Sequence, residues 1–246
     1  MDSYDLVLQG LEYAKKGNVM KENTQKAVEL FEKAIELEPS YARAHAWRAC
    51  TLSNLADWEE SPDPKIFENA FKSIQLALEL DSNEPEVHRI MGALKLWHER
   101  DHEMARYHFE KARELCPSDV FIISRYAIML IYFAEFDKAL EELERAKRLD
   151  PFSHDLLFGP EAICHYWMDN SLEALQTFKK VKVKKNFLFY IALANKKSGN
   201  NDKASENLKE AYALTGMDND SFVGSQPFKD QELTSKLKSE LSNITV

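Results

Sequence analysis

Small, large and small apolar side chains recur along the chain at i, i+4 and i+7. The six instances are Ala27/Phe31/Ala34, Ala70/Ile74/Ala77, Ala105/Phe109/Ala112, Ala139/Leu143/Ala146, Ala174/Phe178/Val181 and Ala204/Leu208/Ala211, and their first members lie 43, 35, 34, 35 and 30 residues apart. An i, i+4, i+7 row occupies one face of an α-helix, so each triad predicts a helix whose small residues admit a close neighbour while the large one fills the gap. Upstream of the triads lie further helical patterns such as Leu6/Gly10/Tyr13 and Met91/Gly92/Lys95. Downstream, Pro39, Pro117 and Pro151 punctuate the chain, with Ser82 where the second proline would fall. Proline cannot continue a helix, so each unit reads as two helices and a stop.

A period near 34 residues in a helix-turn-helix unit resembles the tetratricopeptide repeat, over approximately residues 4–39, 42–82, 85–117, 120–151, 154–184 and 185–216. The resemblance implies an all-α, right-handed superhelix of about six helix pairs. Extra residues fall between the paired helices, around Asn18 to Asn23 in the first unit and Trp58 to Pro64 in the second, where a solenoid accepts insertions. Gly159-Pro160 interrupts the fifth unit and the link to the sixth is short, so a change of curvature is expected there. After Gly216, Asp218 to Ser221 reads as a turn, and Asp230-Gln231-Glu232 opens a helix with Leu233, Leu237 and Leu241 on one stripe. Residues 217–246 are therefore expected to cap the last repeat, since a terminal repeat needs a polar outer cover; a partner-binding helix is the alternative. A narrower similarity links Tyr4-Asp5-Leu6 to Gly10, residues 27–35, residues 40–46 and Gln226 to Asp230 to the repeat region of bacterial class III nucleotidyl cyclases and winged-helix regulators.

Seven glycines, 32 basic and 41 acidic residues change the picture in two ways. Scarce glycine argues against phosphate-cradling nucleotide folds. A net charge of −9 opposes general binding to nucleic acid. The sequence shows no run of about 18 apolar residues and no basic, apolar start of a secretory signal, so neither a membrane nor export is expected, and the chain reads as cytoplasmic. Cys50, Cys116 and Cys164 are too widely spaced for a disulfide framework and read as buried thiols.

Candidate chemistry is thin. His98-Glu99-Arg100-Asp101-His102 matches the zinc-protease pattern His-Glu-x-x-His, but the repeat register puts Arg100 and Asp101 in a turn, so the histidines should not share a helical face. His45, His88, His108, His154 and His165 are scattered, and no Gly-x-Ser-x-Gly elbow is present. Gly199 to Ala204 lacks the lysine of a phosphate loop and reads as a turn. Lys179, Lys180, Lys182, Lys184 and Lys185 lie beside Phe187, Phe189 and Tyr190; at a helix end such cations offset the dipole. No catalysis, cofactor or metal is expected.

In tetratricopeptide repeats the first helix of each unit lines a concave groove. The resemblance places Arg89, Leu96 and Trp97 there in the third unit, and Phe121, Ser124, Ile128, Ile131 and Tyr132 in the fourth. Tyr166 and Trp167 follow in the fifth, and Phe189, Lys196 and Lys197 in the sixth. The alternative is that Trp97, Tyr132 and Trp167 pack against the next repeat. The family's carboxylate clamp for chaperone tails is absent, with Val7, Leu11 and Trp47 at its positions. The resulting expectation is a protein-interaction scaffold that takes a peptide or helix with an apolar anchor and an acidic segment. A regulatory region of a cyclase-like or transcription-regulator protein is the alternative, and self-association through an end repeat is open.

Overall fold

The computed structural model describes residues 2–16, 20–56, 58, 63–152 and 154–245. Helices account for about four-fifths of them, and no strand occurs among the described residues. The chain divides into two compact units, residues 1–117 and 118–246.

The first unit holds three antiparallel pairs: α1 (Ser3–Lys16) with α2 (Lys21–Leu37), α3 (Ala42–Ala56) with α4 (Pro64–Leu80), and α5 (Pro85–Leu94) with α6 (His102–Leu115). The second holds α7 (Val120–Tyr132) with α8 (Phe136–Leu149), α9 (His154–Trp167) with α10 (Ser171–Phe178), and α11 (Leu188–Lys197) with α12 (Asn201–Thr215). Two further helices follow, α13 (Asn219–Ser225) and α14 (Gln231–Ser242). Of the two sequence insertions, Lys21 to Asn23 form the first turn of α2 and Pro64 opens α4, while residues 18, 19 and 59–62 lie outside the described residues.

The triads are the core of each pair. Phe31, Ile74, Phe109, Leu143, Phe178 and Leu208 are all buried, as are the alanines around them. Opposite Phe31 stands Gly10 of α1, where a β-carbon would lie 2.6 Å from Phe31 Cε1; opposite Phe109 stands Gly92 of α5, where it would lie 2.9 Å from Phe109 Cδ2. Glycine is required at both places because an aromatic ring has taken the volume a methyl group would fill.

The last triad residue also sets where a second helix stops. The N–H groups of Glu38, Asp81, Cys116 and Asp150 donate to the carbonyls of Ala34, Ala77, Ala112 and Ala146, and Pro39, Ser82, Pro117 and Pro151 follow at once. A proline there has no N–H with which to extend the ladder. The first helices restart on side-chain caps: Asp119 accepts from Ile122 N at 2.9 Å, and Glu84 accepts from Glu86 N at 3.3 Å ahead of Pro85. Between paired helices one residue turns left-handed: Arg100 (φ 57°), Ala134 (φ 60°), Asp169 (φ 60°) and Gly199 (φ 79°).

The fifth pair departs from the expected pattern. α10 ends at Phe178, so Val181 lies beyond the helix and is buried from the following turn. α9 runs through Pro160, and Phe187, in the short 3₁₀ turn before α11, packs on Gly159. Cys164 is buried, whereas Cys50 and Cys116 are half-buried, so only one thiol meets the expectation of a buried group.

Candidate docking faces of the first helices

The zinc-protease pattern is broken by backbone geometry. Residues Lys95–Glu99 form a π turn, Arg100 is left-handed, and α6 begins at His102, so the two histidines lie on separate elements. His98 Nε2 is instead 2.6 Å from Ser53 Oγ, and its ring lies on Phe67 with centroids 4.6 Å apart. Among the described residues no group of three metal-ligating side chains assembles. Burial pushes the Cys164 thiol well above its ordinary range, leaving it a poor nucleophile.

Other histidines, scattered in sequence, do converge. His45 Nε2 lies 2.8 Å from Pro39 O, and His88 Nε2 lies 2.9 Å from Ser82 O, equivalent contacts in successive repeats. His88 Nδ1 then faces His108 Nδ1 at 3.0 Å. Because Ser82 O can only accept, His88 carries its proton on Nε2 and accepts at Nδ1 from His108 Nδ1–H. Burial, with His88 and Lys95 adding repulsion, lowers the His108 pKa to about 4. The side chain of His154 lies outside the described residues.

On the first helices of residues 1–117, Arg89 is buried, not presented in a groove. Its guanidinium lies 5.0 Å from the centre of the Trp47 ring and pairs with Glu86 at 2.7 Å, tying α5 to α3. Leu96 is likewise buried, while Trp97 in the π turn is half-buried.

On α7, Phe121, Ile128 and Tyr132 are half-buried, with Arg125 over the Phe121 ring at 4.8 Å, while Ser124 and Ile131 are buried. Tyr166, Trp167 and Phe189 are also buried, which corrects the expectation that they line an open groove. What buries them is the chain itself. Phe222 of α13 stacks on Phe189 at 4.0 Å and 6°, and stands edge-on to Tyr190 at 5.7 Å. Phe228 stands edge-on to Tyr132 and Trp167 at 5.2 and 5.3 Å. Between these anchors, Gln226 Oε1 accepts from the hydroxyls of Tyr132 and Tyr190 at 3.2 and 3.4 Å, and Lys229 N donates to Tyr132 O at 2.9 Å.

Further along, Glu240 of α14 accepts from the Tyr166 hydroxyl and pairs with Lys197 Nζ at 3.2 Å. Burial raises its pKa to about 7 despite that lysine. Lys197 also pairs with Asp169 at 2.8 Å, and Lys236 lies over Trp167 at 5.8 Å. Lys196 takes no part in this contact and bonds Asn201 Oδ1 at 3.0 Å.

Residues 218–242 therefore lie along α7, α9 and α11 and also meet α12 of the last pair, where the Tyr212 hydroxyl donates to Asn219 Oδ1 at 2.9 Å, so they reach beyond the last repeat they were expected to cap. The physical reason is the aromatic content of both surfaces: Phe222 and Phe228 gain ring contacts on α7, α9 and α11. Tyr190, Gln226, Phe222, Phe228 and Glu240 were not among the site residues expected from sequence, although residues 226–230 stood out as a motif. The lysine cluster is exposed, with Lys182 pairing with Asp155 and Lys180 over Phe158. Lys179 and Lys184 border an opening of about 530 Å³ between α10 and α12.

Comparison with known proteins agrees with this architecture. A family model described as tetratricopeptide repeat matches residues 30–61. Among solved structures, PilW, a type IV pilus biogenesis factor, superposes with a TM-score of 0.62 at 18% identity, over 88% of this chain and 94% of that one. PilF of Pseudomonas aeruginosa gives 0.57 at 19%, over 95% and 97%. The chain has a tetratricopeptide-repeat fold. A repeat protein of this kind from Parabacteroides merdae gives 0.59 at 15%, over 98% and 84%. The search of curated protein sequences gives no match. No helix among the described residues is long and apolar enough to cross a membrane.

Proposed function

We propose that this tetratricopeptide-repeat chain is a protein-interaction scaffold whose first-helix faces receive a peptide or helical segment of a partner. One observation carries the reading: the face of α7, α9 and α11 holds a polypeptide segment that belongs to no helix pair, through ring contacts and side-chain hydrogen bonds. Large aromatic side chains in water-excluding surroundings are where interfaces concentrate their binding energy. Positions of the same kind that keep solvent exposure are Trp97 in residues 1–117 and Phe121 and Ile128 in residues 118–246. The exposed lysines at residues 179–185 suit an acidic stretch of the partner. A repeat region serving a cyclase-like or transcription-regulator protein would use the same faces, with its effector domain as the partner.

Selection of peptides from a displayed library against the intact chain tests the reading. Bound peptides should protect amides of the first helices from hydrogen exchange, and Trp97→Ala or Phe121→Ala should weaken capture by at least about tenfold, or ~1.4 kcal/mol, with far-UV circular dichroism unchanged. Peptides that protect none of the first helices would overturn it.

A further inference from the structure

The segment on α7, α9 and α11 has the construction of a bound ligand. Its contacts are anchors on a polar background: Phe222, Val223, Pro227, Phe228, Leu237 and Leu241 are buried, whereas Asn219, Asp220, Glu232, Lys236 and Lys238 are not. α13 and α14 pack on one another, with an exposed pair of Lys238 and Asp220 at 2.9 Å between them. It departs from the repeat register that makes the pairs interlock: neither α13 nor α14 carries a small-large-small triad.

The repeats and this segment are stabilised differently. In a repeat, a small-large-small triad interlocks two helices along their length, with its large residue wholly buried between them. The segment is held by rings that meet edge-on or stacked, by the leucine stripe of Leu237 and Leu241, and by hydrogen bonds that include an amide shared between Tyr132 and Tyr190, the Lys229 N–H on Tyr132 O and a carboxylate between Tyr166 and Lys197. Each of those polar groups can exchange its partner for water. Elements with few buried anchors open at lower free energy than the core that carries them.

We infer that residues 218–242 are a displaceable intramolecular ligand of this face, and that a partner protein replaces them with a segment of the same chemistry: two aromatic anchors six residues apart, a side-chain amide between them, and a carboxylate farther along. This rests on reading the first-helix faces as docking surfaces. The spacing and amide are those of Phe222, Gln226 and Phe228, and the carboxylate is that of Glu240. A tethered occupant competes at a high effective concentration, so an outside segment binds with an affinity reduced by the fraction of time the face is open. The segment thus sets a threshold that a partner must exceed.

The test uses the full chain, as wild type and as Phe222→Ala/Phe228→Ala, with a fluorescent synthetic peptide spanning residues 218–242 and a control peptide lacking both phenylalanines. The double variant should bind the peptide at least tenfold more tightly than the wild type, and the control should bind neither. Hydrogen exchange of the wild type should show residues 219–242 opening together, at least tenfold faster than α7 and α11. A folded double variant that ignores the peptide, or a segment exchanging no faster than α7, would overturn the inference. Should the double variant lose its cooperative transition, Gln226→Ala replaces it: faster exchange confined to residues 219–242 supports displacement, and loosening spread through α7 and α11 refutes it. Peptide selection against the wild type scores the scaffold reading separately, because peptides bound on Trp97 or Phe121 need no displacement.

Discussion

The Phe228 ring meets the Trp167 ring edge-on, with centroids 5.3 Å apart and planes at 77°. The edge of one ring carries positive potential and the face of the other negative, so the pair adds about 0.5–1.5 kcal/mol to what burial supplies. Removing Phe228 also strips cover from Tyr132. Phe228→Ala should cost about 3 kcal/mol and shift Trp167 emission to the red, as urea melts and fluorescence would record.

Gly10 and Gly92 each face a buried phenylalanine from a helix interior. Alanine is the better helix former by about 1 kcal/mol, but its methyl group would overlap Phe31 or Phe109, and overpacking costs about 1–3 kcal/mol. Overlap wins, so Gly10→Ala and Gly92→Ala should lower the melting temperature. Gly159→Ala should cost less, because Phe187 is half-buried in a connecting turn and can move. Phe31→Leu should recover part of the Gly10→Ala loss in a double-mutant cycle.

Buried His108 makes stability depend on pH. An unfolded histidine takes up its proton as pH falls through about 6.5, while folded His108 resists until about 4. Between those values the unfolded state binds more protons, so stability declines with falling pH, by about 2 kcal/mol at pH 5. His108→Asn keeps a donor toward His88 and removes this titration. Denaturant midpoints at pH 7 and pH 5 should lie closer together in the variant than in the wild type.

Ala134 sits in the left-handed region with φ 60°. An L-residue there costs roughly 1 kcal/mol that glycine avoids, offset in part by glycine's larger unfolded entropy. Ala134→Gly should therefore stabilise by a few tenths of a kcal/mol, whereas Gly199→Ala, at φ 79°, should destabilise. Paired thermal melts decide it.

Because Arg100 turns the chain between His98 and His102, the two imidazoles do not present the one-turn spacing that grips zinc. Added zinc should leave the melting temperature unchanged, and dialysed protein should hold well below one equivalent by elemental analysis.

The helix pairs were legible in the sequence because their information is local: a triad with its small residues specifies one helix face, and the proline after it specifies where the helix stops. The broken His-Glu-x-x-His pattern was legible for the same reason, since a turn position excludes a shared helical face. Val181 was misplaced because periodicity counts residues and cannot see that α10 ends at Phe178. The fate of Tyr166, Trp167 and Phe189 was decided only in three dimensions. Their spacing assigns them to first helices, but an aromatic face is satisfied equally by solvent-excluding neighbours in cis or by a partner. Choosing between the two depends on where Phe222 and Phe228 come to rest. The His88–His108 contact is of the same kind, joining side chains from different helices whose meeting follows from packing angles and not from any interval along the chain.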